Sequence, residues 1–124
     1  MTIAYEKLEV YQLSLECVEF GLAAVGKIPK GYSDLSSQLK RALLSVCLNI
    51  AEGAGKSGYS DKKRYYETAK GSAMESAAIF DIMYRINGID LKQYQGIKSL
   101  LQRVISMLSR LSFFSHFRGD SILN

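Results

Sequence analysis

Of 124 residues only one, Pro29, is proline. Proline removes a backbone donor and clashes with the preceding turn, so its scarcity leaves a chain free to run long helices. The apolar residues recur at steps of three and four, and no stretch alternates with a period of two. The breaks are few: Pro29 with Gly31, the glycine-rich run from Gly53 to Gly58, and the pair Asn87-Gly88. They divide the chain into four helical stretches.

The first stretch runs from about Leu8 to Ile28, with Val10, Leu13, Cys17, Phe20 and Ala24 on one face. The second runs from Asp34 to about Ala54 behind a Ser33 N-cap. Leu35, Leu39, Ala42, Leu43, Val46 and Ile50 form its apolar stripe, and Gly53 and Gly55 are expected to stop it in the left-handed conformation. The third starts at a Ser60 cap and turns Tyr65, Ala69, Ala73, Ile79, Phe80 and Met83 inward. Its small residues, Gly71 among them, permit close helix approach. The fourth follows an Asp90 cap, buries Ile97, Leu101, Val104, Leu108 and Leu111, and is expected to reach Phe117 before Gly119. Connections of about 4–6 residues favour antiparallel neighbours. The expected fold is all-α: one domain over residues 1–124, an antiparallel up-down-up-down four-helix bundle.

Composition excludes several classes of function. Two cysteines thirty positions apart, Cys17 and Cys47, make neither a disulfide framework nor a thiolate zinc site. A single histidine, His116, has Phe113 three residues before it, so the Glu-x-x-His pairs of di-iron bundles are absent. No metal, cofactor or catalytic residue is expected, and the protein is read as a non-enzyme. Gly53, Gly55 and Gly58 surround Lys56-Ser57, but the earlier glycine of a phosphate loop falls on Ile50 and the run follows a helix, not a strand. The absence of a long apolar segment argues against a membrane span, and the acidic start at Glu6 and Glu9 is unlike a signal peptide; a cytoplasmic protein with reduced thiols is expected.

Net charge is +4, and it is unevenly spread. Residues 1–29 hold two basic and four acidic groups, residues 30–72 eight and four, and the remainder six and four. Within the basic segment, Lys62-Lys63-Arg64 lies among Tyr59, Tyr65 and Tyr66, with Lys56 and Lys70 nearby in sequence. Cations interleaved with rings suit phosphates and unstacked bases, although the same run also serves simply to solubilise the start of a helix. A polar stripe on the second helix, Gln38, Arg41, Ser45, Asn49, Glu52 and Lys56, has a matching set on the third, Arg64, Glu67, Gly71 and Glu75. It reads either as a solvated face or as a seam between helices or subunits, with Arg41 pairing a glutamate such as Glu75.

These elements together resemble the family of proteins encoded in intervening sequences of bacterial 23S rRNA. The resemblance spans about residues 8–112. It is carried by Leu8-Glu-Val-Tyr-Gln12, Gln38, Arg41-Ala42, Ser45, Asn49-Ile-Ala-Glu-Gly53, Tyr65-Tyr66, Ala69-Lys-Gly-Ser72 and Glu75. It implies a left-handed antiparallel bundle that assembles as a homopentamer, no catalytic residues, and a role in RNA binding. A bundle of similar fold is the accessory protein of diversity-generating retroelements, which binds nucleic acid and a reverse transcriptase; this link is fold-level analogy. Five copies at +4 would carry +20, a much stronger field than one chain has. Two functions therefore stand. One is an oligomeric RNA- or DNA-binding accessory protein using Lys56, Lys62, Lys63, Arg64 and Lys70. The other is a structural or protein-interaction module without nucleic-acid affinity, using the polar stripe and the Phe113–Phe117 surface.

Overall fold

The structure is a computed structural model that describes the backbone of residues 3–123 and the side chains of residues 3–115. Four helices form it: α1 (Glu9–Val25), α2 (Ser33–Gly55), α3 (Tyr59–Arg85) and α4 (Leu91–Leu123). Each helix packs on its neighbours in sequence, and α1 closes the bundle against α4. Ser45 on α2 meets Ser72 on α3. Gly53, farther along α2, meets Tyr66, nearer the start of α3, so these two helices run antiparallel.

The core follows the three-and-four periodicity. Leu39, Leu43, Ile50, Phe80, Met83, Ile97, Leu101, Val104 and Leu108 are fully buried, because each apolar stripe can leave water only against the others. Cys17 and Cys47 sit in this interior as small apolar residues. Burial, with a lesser contribution from neighbouring Cys47, pushes the Cys17 thiol up to about 12, and burial also raises that of Cys47. Neither is an activated nucleophile. Among the described residues, no group of three or more metal-binding side chains gathers, and no helix is long and apolar enough to cross a membrane.

The helix ends depart from the sequence reading in instructive ways. Asp90 does cap α4: its Oδ1 accepts from the Gln93 N–H at 2.7 Å, and Gln93 Oε1 accepts from the Asp90 N–H at 3.0 Å, a reciprocal capping box. Ser33 and Ser60 cap nothing; α2 starts one residue earlier, behind Tyr32, and α3 two residues earlier, behind Gly58, both without a side-chain cap. Just past the Ile86 C-cap of α3, Asn87 has φ of 61°. The Gly88 and Asn87 N–H groups return to the Met83 and Tyr84 carbonyls at 2.7 and 3.2 Å. Asparagine tolerates this left-handed position, so it supplies the turn usually given to glycine. Gly119 does not stop α4, which runs on to Leu123; a glycine inside a helix costs only about 1 kcal/mol. The side chains of His116 and Phe117 lie outside the described residues.

A polar clasp joins α3 to α4 near this turn. Asp81 Oδ1 accepts from Tyr94 Oη and from Lys98 Nζ, both at 2.7 Å, and Tyr94 stacks on Tyr84 with centroids 4.6 Å apart. Burial alone would raise the Asp81 carboxyl, but the bonds from Lys98 and Tyr94 outweigh it and hold it below its ordinary value. The bond to Asp81 raises Lys98 in turn. The aspartate's contribution is present above its unfolded pKa and is lost as pH falls through the lowered folded one. The lysine's is present below its unfolded pKa and is lost as pH rises through the raised one. Both groups are more than a third exposed, so the pair is worth about 0.2–1 kcal/mol. Asp81→Asn should lower the unfolding free energy from urea titration by that amount at neutral pH, and the difference should shrink as pH falls past 3.8, the carboxyl's ordinary value, and vanish below the lowered folded one. A difference that persists in acid would assign the effect to something other than charge.

Candidate nucleic-acid interface

The turn from α2 to α3 concentrates the cations that the sequence singles out. Lys56 follows α2 in extended conformation, and its N–H closes on the Gly53 carbonyl at 3.2 Å. Its ammonium lies 5.2 Å from the centre of the Tyr65 ring, and the Arg64 guanidinium lies 4.9 Å from the same centre. Cation–π attraction thus fixes two positive groups on one aromatic platform. Each also has a loose carboxylate neighbour: Glu52 lies 3.7 Å from Lys56, and Asp61 lies 3.5 Å from Arg64.

Lys62 has different work. Its Nζ donates to the carbonyls of Gly53 at 3.2 Å and Ala54 at 3.0 Å, which closes the C-terminal end of α2 where no left-handed residue does so. Lys63 and Lys70 make no ion pair among the described residues. They are seven residues apart, two helical turns, and Asp81 lies three turns beyond Lys70, so these lysines follow the edge of α3 that faces α4. The five cations therefore form two groups, Lys56 with Arg64 over Tyr65 and Lys63 with Lys70 along the other edge, with Lys62 holding the turn between them.

Two sequence expectations are corrected here. Tyr65 is not the inward residue; Tyr66 is, one position and about 100° further round the helix. Nor do Gly53 and Gly55 act as left-handed stops. Gly53 is a buried helical residue, and a β-carbon on it would lie 2.9 Å from Tyr66 Cε1 and 3.1 Å from Tyr65 Cβ. Its missing side chain lets α3 approach α2, whereas Gly71 faces open space. The same substitution should then act with opposite sign at the two sites. Gly71→Ala should stabilise by about 1 kcal/mol through helix propensity. Gly53→Ala should lose that gain to overpacking that costs about 1–3 kcal/mol. Paired thermal melts would check this, and equal shifts would refute the close-approach reading.

The polar stripe divides as well. Ser45 and Ser72 share a hydroxyl hydrogen bond at 2.7 Å, and Asn49 Nδ2 donates to the Ser45 carbonyl and hydroxyl at 2.8 and 3.0 Å, so this part is a seam between α2 and α3. Gln38, Arg41, Glu52 and Glu75 lie outside it and are exposed. Arg41 and Glu75 form no ion pair with each other among the described residues: both are exposed, beyond the seam, as the solvated-face alternative has it. The sequence reading missed a further feature, the exposed apolar residues Leu44 and Leu48 on α2 and Met74 and Ile82 on α3. The signal was present in the spacing of Leu44 and Leu48, which lie one turn apart and off the inward stripe.

The family model described as 23S rRNA-intervening sequence protein matches residues 6–110. The chain belongs to this family. Among solved structures, a chain from Bacteroides thetaiotaomicron VPI-5482 has the same fold with a TM-score of 0.76 at 20% identity; the match covers 83% of this chain and 97% of that one. That structure is described as a protein with unknown function from the S23 ribosomal protein family. No curated protein matches. In this intervening-sequence protein, the matched region takes in the whole α2–α3 turn, the seam and the clasp.

Proposed function

We propose that the protein is a non-enzymatic, oligomeric accessory protein that binds RNA or DNA through phosphate contacts. The observation that carries this reading is the pair of cations, Lys56 and Arg64, held over Tyr65 at the α2–α3 turn, with Lys63 and Lys70 on the adjoining edge. Charges fixed in advance lose less side-chain entropy when they meet a phosphate. Lys62 supports the site by shaping the turn. The family resemblance adds a homopentamer, in which five such turns would present one ring of positive charge. Leu44 and Leu48, exposed one turn apart on α2, support self-association, since scattered single apolar residues need no explanation but an adjacent pair does.

The test is the absorbance ratio of the freshly purified protein, followed by titration of a labelled RNA hairpin at several salt concentrations. Copurified nucleic acid and affinity that falls steeply with salt are expected, because each neutralised phosphate releases condensed counterions. Clean protein with a flat salt response would leave the protein-interaction reading in its place.

A further inference from the structure

Residues 3–8, ahead of α1, fold as two linked turns. The Glu6 N–H donates to the Ile3 carbonyl at 3.0 Å, and the Leu8 N–H donates to the Tyr5 carbonyl at 3.1 Å. Gln12 Nε2 ties this arm to α1 by donating to the Glu6 carbonyl at 3.2 Å, and the Tyr5 ring leans on Tyr11 with centroids 4.7 Å apart. Held in this way, the arm encloses a pocket of about 410 Å³ against the end of α2. Ile3 and Tyr5 wall it on one side. On the other, Leu48, Ala51 and Gly55 follow one another at steps of three and four along a single face of α2.

The pocket lies at the small end of the range for ligand sites, about 300–1,000 Å³. Two of its apolar walls, Ile3 and Leu48, stay more than half exposed. Gly55 leaves it room: a β-carbon there would meet nothing within 4 Å, unlike one on Gly53. Lys56 belongs to two features at once. It lines this pocket, and its ammonium lies over the Tyr65 ring beside Arg64. Its carboxylate neighbour, Glu52, stands at 3.7 Å, beyond hydrogen-bond range. Both groups are more than a third exposed, so this contact yields to a phosphate at little cost. An occupant that uses the apolar walls and the cation together must carry a flat apolar group next to an anion. A nucleotide of an unpaired strand does so; a duplex keeps its bases stacked inside and offers the pocket nothing.

We propose that the pocket between the N-terminal arm and α2 takes one unstacked base of a single-stranded RNA or DNA, packed on Tyr5, while the adjoining phosphate meets Lys56. The inference rests on the nucleic-acid reading and narrows its ligand to unpaired strands. Phosphate contacts alone would favour a duplex, which carries twice the charge per length of one strand. A base held on a ring reverses that preference.

Fluorescence anisotropy at one salt concentration, with an unstructured RNA oligonucleotide and a blunt RNA duplex of equal length, separates the two. Wild type should bind the single strand more tightly. Tyr5→Ala removes the ring, and Gly55→Leu fills the pocket from a position with open space around it. Each should weaken single-strand binding about tenfold, the loss of one base stack, and leave duplex affinity unchanged. Tyr5→Phe should bind as wild type does, because the ring and not its hydroxyl does the stacking. A wild type that prefers the duplex, equal losses on both ligands, or Tyr5→Ala and Gly55→Leu binding as wild type would each overturn the base pocket and leave the cations over Tyr65 standing. A wild type that binds neither ligand overturns the nucleic-acid reading with it. Helicity by circular dichroism should not change; if Gly55→Leu loses it, Tyr5→Ala and Tyr5→Phe, which lie outside the helices, decide.

Discussion

Phe80→Ala should destabilise the protein by about 3–5 kcal/mol, the largest single-residue loss expected for this fold. Phe80 is fully buried on α3 and reaches across the interior to α1, where it meets Phe20 edge-on with ring centroids 5.7 Å apart. Its ring end would also lie 3.8 Å from a β-carbon placed on Gly21. The backbones of α1 and α3 are diagonal in the bundle and do not approach each other, so this ring fills the space between them. Truncation leaves a cavity whose lining atoms have nothing to pack against on one side. Urea denaturation at fixed protein concentration would show a lower midpoint with little change in slope. Leu22→Ala, on the exposed face of α1, should stay within about 0.5 kcal/mol of wild type. A loss below about 1 kcal/mol for Phe80→Ala would mean that the helices collapse around the vacancy and that the diagonal contact is not structural.

The second large effect concerns the cations. Removing Lys56, Lys63 and Arg64 together by alanine substitution should weaken nucleic-acid binding by well over tenfold at low salt. It should also flatten the slope of log affinity against log salt, by about 0.9 for each duplex phosphate that the variant no longer neutralises. Helicity and urea midpoint should hardly move, because all three ammonium or guanidinium groups sit at or near the surface. Lys62→Ala should behave differently. It exposes the carbonyls of Gly53 and Ala54 at the end of α2 and should cost about 0.5–1.5 kcal/mol of stability. If the triple variant binds as wild type does, the proposed interface is wrong. If Lys62→Ala leaves stability untouched, its role in closing the helix is wrong.

Much of the architecture could be read before any coordinates. Val10, Leu13, Cys17 and Ala24 on α1, and Leu39, Leu43, Val46 and Ile50 on α2, are buried as their spacing requires. Asp90 and Asn87-Gly88 mark their boundaries as read. The reading failed where an end or an edge was at stake. On α4 the inward stripe passes through Ser112 and Ser115 as well as the half-buried Leu111, and the Ser112 hydroxyl is buried without a partner among the described residues. A serine in such a position carries no apolar signal, so periodicity alone passes over it. The candidate site was legible as a cluster in sequence but not as an arrangement. Lys62, Lys63 and Arg64 are consecutive, yet one closes a helix, one lies along the α4 edge and one covers Tyr65, because successive residues on a helix point about 100° apart.

The sequence by itself determined that this chain makes four helices, where they break and which side of each avoids water. Those properties depend on φ constraints and on a repeat of 3.6 residues, both local. Only the tertiary structure decided that Tyr66 rather than Tyr65 faces inward, that Gly53 exists for its neighbour's ring, and that Lys62 belongs to the end of another helix. Each of these depends on how closely α3 lies against α2. That distance is set by side chains from both helices meeting in one groove, which no single stretch of sequence contains.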